Sequence, residues 1–280
     1  TATAEDGSFD SGDEAWTYNS PPGAEGDYTV EATATDEAGN MGSSNLVGYT
    51  IDATTPTASI TDPSDGDVVS SQASISGSSS DNNQVAGVEL TITNVATNET
   101  WNGTDFTSSP TTVPAAADDG SFDSGDETWT YESPPSTEGD YSVQATATDG
   151  AGNTGTSSSV GYTIDVTAPT ASITDPSDGD VVSSQVSISG SSSDNNQLAG
   201  VELTITNVTT NETWNGTDFT SNTTTVTATA EDGSFDSGDE AWTYDSPPGS
   251  EGEYTVQATA TDAAGNTGTS SVVGYTIDNT

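Results

Sequence analysis

The chain has 280 residues, of which 45 are acidic and none is Lys, Arg, His or Cys, so its formal charge is −45. This balance excludes side-chain salt bridges, disulfides, thiolate or imidazole catalysis and Cys-ligated zinc. Nucleic acid and anionic membranes are excluded as partners, because both would be repelled. Like charges are screened over about 8 Å at physiological ionic strength and about 3 Å at 1 M salt, so compactness becomes easier in brine and the composition reads as that of a halophile. No apolar run approaches the roughly 20 residues that cross a bilayer, and no direct membrane insertion is expected of this segment. No signal peptide opens the chain, so targeting signals and anchors are expected outside it.

Only 29% of the residues are hydrophobic, which alone would permit disorder, yet they fall in period-two runs that predict strands with one buried face. In chain order, the first strands are predicted at Trp16–Tyr18, Tyr28–Thr35 and Val47–Asp52. Residues 1–52 therefore hold the C-terminal part of a domain without its first three strands, and alone would expose half a core. Two completions are open. The stretch is a window on a longer polymer, the preferred reading, or a neighbouring chain donates strands and builds a filament. From residue 53 the alternation runs through Ala58 and Ile60, then Ala73, Ile75 and Gly77, then Val88, Leu90 and Ile92. A polar stretch, Asn94–Glu127, follows, with extra edge strands expected around Glu99–Phe106. The alternation resumes at Trp129 and Tyr131, at Tyr141–Ala147 and at Val160–Ile164. Turn clusters such as Asp62-Pro63-Ser64-Asp65-Gly66 and Ser133-Pro134-Pro135 separate the runs.

The register then repeats. The quartet Tyr49-Thr50-Ile51-Asp52 returns at Tyr162 and again at Tyr275, 113 residues apart each time. That period divides the chain into residues 1–52, a complete unit 53–165 and a complete unit 166–280. Roughly seven short strands in about 100 residues, with Tyr141 opening the sixth where a tyrosine corner belongs, predict an all-β fold of tandem immunoglobulin-like β-sandwich domains in an elongated array. A unit copied down to its surface residues serves length or multivalency rather than one unique cleft. Paired carboxylates of glycosidase type are the only catalytic machinery left, and repetition argues against them, so the chain is expected not to be an enzyme.

After the sixth strand each copy carries Ala-Thr-Asp and a glycine-containing loop ending in Asn: Asp36 to Asn40, Asp149 to Asn153 and Asp262 to Asn266. Together with the opening TxPTASITDPSDGDVV, the SGSSSDNNQVAGVEL segment and the closing YTID, this resembles the tandem immunoglobulin-like repeats, of the ATDxAGN type, found in giant bacterial and archaeal surface adhesins and extracellular filaments. The resemblance implies an extracellular or cell-surface protein and a structural role. It also implies Ca2+ at the junctions between units. The topology of such a sandwich brings the linker Asp52 beside Asp81 and Asn82 of the second-strand loop and Asp149 and Asn153 of the sixth-strand loop. The equivalent set at the next junction is Asp165, Asp194, Asn195, Asp262 and Asn266, and Asp36 and Asn40 hold the matching places in the first copy. Calcium takes six to eight oxygens, which these groups can supply with no side-chain cation to compete. Two other readings stay open: Asp and Asn here only cap a tight turn, or Na+ or K+ takes the place of Ca2+.

A further acidic cluster, Asp119 through Asp123 to Asp126 and Glu127, lacks the spacing of a calcium loop and is expected to be a solvated acidic loop. Asn-x-Ser/Thr sequons at Asn98, Asn102, Asn207, Asn211, Asn215 and Asn222 crowd one flank of the two full units and suggest a glycosylated surface. The leading function is a structural repeat of an extracellular stalk, adhesin or filament with cation-stiffened joints. The alternative is a carbohydrate-binding cell-surface module, in which Trp101 and Trp214 would hold host or cell-surface glycans. The partners expected are neighbouring repeats of the same chain or other copies of it.

Overall fold

The computed structural model describes residues 1–280, which form strands, turns and loops without a helix. In unit 53–165 the alternating runs become two facing sheets. The smaller has the order Ala116–Ala117, Asp126–Tyr131, Ile75–Ser80, Thr57–Asp62. The larger runs Phe106–Thr107, Glu99–Trp101, Val85–Asn94, Gly139–Asp149, Val160–Ile164, Asp67–Val69. All neighbours pair antiparallel except Asp67–Val69, which lies parallel to Val160–Ile164.

Period-two alternation places Val88, Leu90 and Ile92 from one strand, and Tyr141, Val143, Ala145 and Ala147 from its neighbour, on the inner face. They meet Ile75 and Trp129 from the smaller sheet, and all nine are essentially buried. Each buried Val, Leu or Ile among them contributes about 1.5–3 kcal/mol, so a thin core of this kind carries the unit without any ion pair. Gly77 lies directly under Trp129, where a Cβ would collide with the indole and with the Ser59 carbonyl, so glycine lets the largest core residue lie flat on the strand. Tyr141 donates its hydroxyl proton to the Thr137 carbonyl at 2.8 Å, closing the expected corner. Unit 166–280 repeats this arrangement, with Trp242, Tyr254 and Ile277 in the equivalent buried places.

Two features depart from the sequence reading. Ala73 is exposed and lies before the strand Ile75–Ser80, because the Gln72 amide folds the chain back by bonding Asp62 Oδ2 at 2.8 Å and the Ser74 carbonyl at 2.6 Å. Beyond the turn at Asp62–Gly66 the chain changes sheets and adds the short strand Asp67–Val69, with Asp65 Oδ1 accepting the Gly161 N–H at 2.8 Å. A three-residue strand with two apolar side chains is too short for a periodicity to register.

Residues 1–52 form only paired fragments: Thr3–Ala4 with Trp16–Thr17, Gly26–Val30 with Val47–Ile51, and Thr33–Thr35 with Met41–Ser43. Their apolar face is open. Trp16 is 45% exposed, whereas Trp129, its counterpart one period later, is fully buried.

Candidate metal centre

Each joint is built from three chain segments that the fold delivers to one pole. Asp52 follows the strand Val47–Ile51 and precedes Thr57–Asp62. Asp81 opens the loop after Ile75–Ser80, and its N–H is held by the Gly125 carbonyl at 2.7 Å. Asp149 ends the long strand Gly139–Asp149 and begins the loop that returns to Thr154–Thr156. One carboxylate oxygen from each of Asp52, Asp81 and Asp149 lies within 4.8 Å of the others, and Asp165, Asp194 and Asp262 make the same group at the next joint.

The asparagines of the expected sets have different partners. Asn153 closes its loop by donating its backbone N–H to Asp149 Oδ1 at 2.8 Å and its amide to Asp149 Oδ2 at 2.7 Å, and the same amide reaches the Asp52 carbonyl at 3.2 Å. Asn266 repeats this on Asp262 Oδ2 and the Asp165 carbonyl, both at 2.9 Å. The turn cap and the gathering of carboxylates are thus one structure. Asn82 and Asn195 instead point their amides across the joint at Glu25 and Glu138, at 3.0 and 3.1 Å. Asp36 and Asn40 form the same capped turn, with Asn40 donating twice to Asp36 at 2.8 Å, but this turn is exposed and joins no other carboxylate.

The electrostatics of the second joint are those of a site lacking positive charge. Asp165 and Asp262 are buried, and Asp165 Oδ2 and Asp194 Oδ1 have no hydrogen-bond partner; Asp81 Oδ1 is orphaned likewise at the first joint. Burial pushes the Asp165 carboxyl above the usual carboxylate range, the Asp194 and Asp262 charges add to the rise, and the Thr167 N–H and the Asn196 side chain only partly offset it. For Asp149, burial also pushes upward, but the Asn153 amide and the loop N–H groups outweigh it and hold the carboxyl below its usual range. Buried acceptors without donors normally carry a substantial penalty, and here they belong to carboxylates gathered into one group at each joint. The donor set is purely oxygen, mostly anionic and flexible in denticity. That fits a hard cation such as Ca2+, with water completing six to eight ligands, and offers nothing to a soft metal.

The sequence reading missed Glu25, Glu138, Asn83 and Asn196. The amide of Asn83 donates to Asp52 Oδ2 at 3.3 Å, and the backbone N–H of Asn196 donates to Asp194 Oδ2 at 2.7 Å. The signal available was the recurrence of Glu-Gly before Tyr28, Tyr141 and Tyr254 at the repeat period. The Asp119–Glu127 loop differs from a solvated one: Glu127 is buried and accepts the N–H groups of Asp123 and Ser124 at 3.0 and 2.7 Å. In the flanking copies, Asp6, Asp10 and Glu14, and Asp232, Asp236 and Glu240, gather within 4.8 Å.

The sequon residues Asn98, Asn102, Asn211, Asn215 and Asn222 are exposed, while Asn207 is half-buried and its Oδ1 accepts the N–H groups of Thr209 and Thr210. Trp101 and Trp214 lie half-buried, and the indole N–H of each is shared between a tyrosine hydroxyl and a serine carbonyl of its own unit at 3.1 to 3.2 Å.

Fold and joints together define a tandem array of immunoglobulin-like sandwiches connected pole to pole. The profile of the bacterial Ig-like domain (group 3) matches residues 12–106 and 125–212, and that of the bacterial Ig-like domain matches 186–279. More than half of the chain is covered, and the chain belongs to the bacterial Ig-like domain family. Among solved structures, the fibronectin(III)-like modules of Clostridium thermocellum CbhA are 15% identical, with 79% of this chain and 94% of that chain covered and a TM-score of 0.39. The FN1-FN3 domains of chicken CNTN1 are 16% identical, with 89% and 74% covered and a TM-score of 0.36. No curated protein matches the chain. Domains of this family are typical of extracellular and surface proteins, and no helix here is long and apolar enough to cross a membrane.

Proposed function

We propose that the chain is a structural repeat segment of an extracellular stalk, adhesin or filament, without enzymatic activity, whose joints are stiffened by Ca2+. The observation that carries this is the trio of carboxylates at each joint, with orphaned buried oxygens on Asp81, Asp165 and Asp194. The backbone loops hold these like charges together although no cationic side chain exists to neutralise them. A bound calcium ion would supply that charge. Linker, second-strand loop and sixth-strand loop would then be tied into one body, and the angle between units would be fixed. Each unit would add about 35 to 45 Å of reach, from strands of around ten residues at about 3.3 Å each plus a linker. The carboxylate-only surface suits a saline habitat, and the exposed sequons suit a glycosylated flank. Trp101 and Trp214 are half-buried and packed against Phe106 and Phe219 of their own units, which leaves little ring face for a sugar to stack on and favours a spacer over a glycan-binding module.

Calcium titration followed by small-angle X-ray scattering tests the reading. Uptake of one ion per joint and a rise in the longest dimension are expected. A scattering profile identical in calcium and in chelator would sink the stiffened joint.

A further inference from the structure

We infer that Glu25 and Glu138 are positioning residues of the joints: each carboxylate bridges two units, seats the linker aspartate and sets the angle at which the next unit leaves. The part that concerns cation affinity rests on the calcium reading above.

Glu138 stands exposed on the loop before the strand Gly139–Asp149, at the pole facing the following unit. Its Oε2 accepts the Thr167 hydroxyl of the linker, and its Oε1 accepts the Asn195 amide of the next unit at 3.1 Å. Thr167 donates its backbone N–H at 3.1 Å to Oδ1 of Asp165, the linker member of the carboxylate trio. One threonine therefore joins the glutamate to the site, the hydroxyl facing one carboxylate and the N–H the other. Asn195 is the immediate neighbour of Asp194, a second member of the trio. Glu138 thus fixes the chain next to two of the three converging carboxylates without itself belonging to the group.

The first joint repeats the arrangement atom for atom. Glu25 Oε2 accepts the Thr54 hydroxyl at 2.8 Å, Oε1 accepts the Asn82 amide at 3.0 Å, and the Thr54 N–H donates to Asp52 Oδ1 at 3.1 Å. Recurrence in a complete unit and in the open segment means that the bridge does not depend on a closed core behind it. An ionised glutamate suits the place because both oxygens accept and neither donor must be turned away. No Lys or Arg exists to draw it elsewhere.

The test uses the full chain in two forms, Glu25→Ala with Glu138→Ala, and Thr54→Val with Thr167→Val. The second pair keeps the net charge and the backbone N–H groups while removing the hydroxyls. In chelator, scattering from the glutamate variant should broaden toward a flexible chain while its unfolding temperature stays at the wild-type value, since both glutamates are exposed. Calcium affinity should fall about three- to tenfold, as befits two charge-assisted but solvent-screened bonds per joint. The threonine variant should move the same way by less. Wild-type scattering in chelator and wild-type affinity in both variants would overturn the inference. A loss confined to the glutamate variant would overturn it too, since charge rather than bonding would be the cause. If the wild type takes up no calcium, the cation reading fails, and the scattering in chelator still decides the bridge.

Discussion

Residues 1–52 and 114–165 are the same stretch of the repeat in two settings, one without its opposing strands and one closed over by them. Short-range devices are unchanged between the two. The Tyr28 and Tyr141 hydroxyls each bond a carbonyl four residues back at 2.9 and 2.8 Å, and the Asp36 and Asp149 turns are capped alike by Asn40 and Asn153. What differs is burial. Val30 is 47% exposed where Val143 is fully buried, because only the second has Val88, Leu90 and Ile92 on a neighbouring strand beside it and Ile75 and Trp129 of the smaller sheet packed over it. The linker aspartates differ for a related reason. The Asp165 N–H bonds the Val69 carbonyl of its own unit, whose strand Asp67–Val69 covers it, and Asp165 is fully buried while Asp52 is only half so. A joint is therefore assembled locally but buried by strands nearly a hundred residues upstream.

The largest effect separating the two settings is expected at the paired tryptophans. Trp129→Ala removes the largest side chain of a closed core and should cost about 3–5 kcal/mol of unfolding free energy. Trp16→Ala removes a half-exposed ring and should stay within about 0.5 kcal/mol. Chemical denaturation of the two variants checks this; comparable losses would mean that residues 1–52 are closed in solution by a partner strand.

A middle-sized effect is expected at the joints. With Asp165 buried and Asp52 partly wet, the attraction between cation and carboxylates is screened less at the second joint, and its site should bind calcium about tenfold more tightly. Calorimetry of Asp52→Asn and Asp165→Asn separates the two, the first leaving the tight site and the second the weak one. Equal residual affinities would show that the upstream strand does not matter to the site.

The sandwich was legible because its core residues alternate over long runs, as in Val88 to Ile92 and Tyr141 to Ala147, and a two-residue period has one structural meaning. The converging aspartates followed from topology once the loops after the second and sixth strands were placed at one pole. Asp67–Val69 was hidden because three residues carry no period, and its partner strand lies nearly a hundred residues away. Glu138 was hidden for another reason: its contacts are with Thr167 and Asn195 of the linker and next unit, and an exposed glutamate beside a turn gives no sign of which neighbour it will meet. The absence of calcium-loop spacing leaves a solvated loop as the expectation for Glu127, whereas the loop's own N–H groups satisfy the carboxylate and draw it inward.

That last device gives the smallest and sharpest contrast. Backbone N–H bonds from Ser124 hold the Glu127 carboxyl below its ordinary value, and the Ser11 hydroxyl and N–H hold Glu14 below its own. A depressed folded-state value contributes stability above the unfolded value, and this contribution is lost as pH falls through the folded one. At Glu127 the loss should reach the whole unit, so Glu127→Gln should lower the unfolding temperature at neutral pH and make little difference in acid. At Glu14 there is no closed core to couple to, and protonation should release only the loop from Asp10 to Glu14. Carboxyl chemical shifts followed by NMR should therefore show both glutamates titrating below the ordinary range, with loss of unit stability tied to Glu127 alone. An ordinary titration at Glu14 would mean that the opposing sheet, rather than the loop's own N–H groups, forms this cap, and the division between local assembly and remote burial would have to be redrawn.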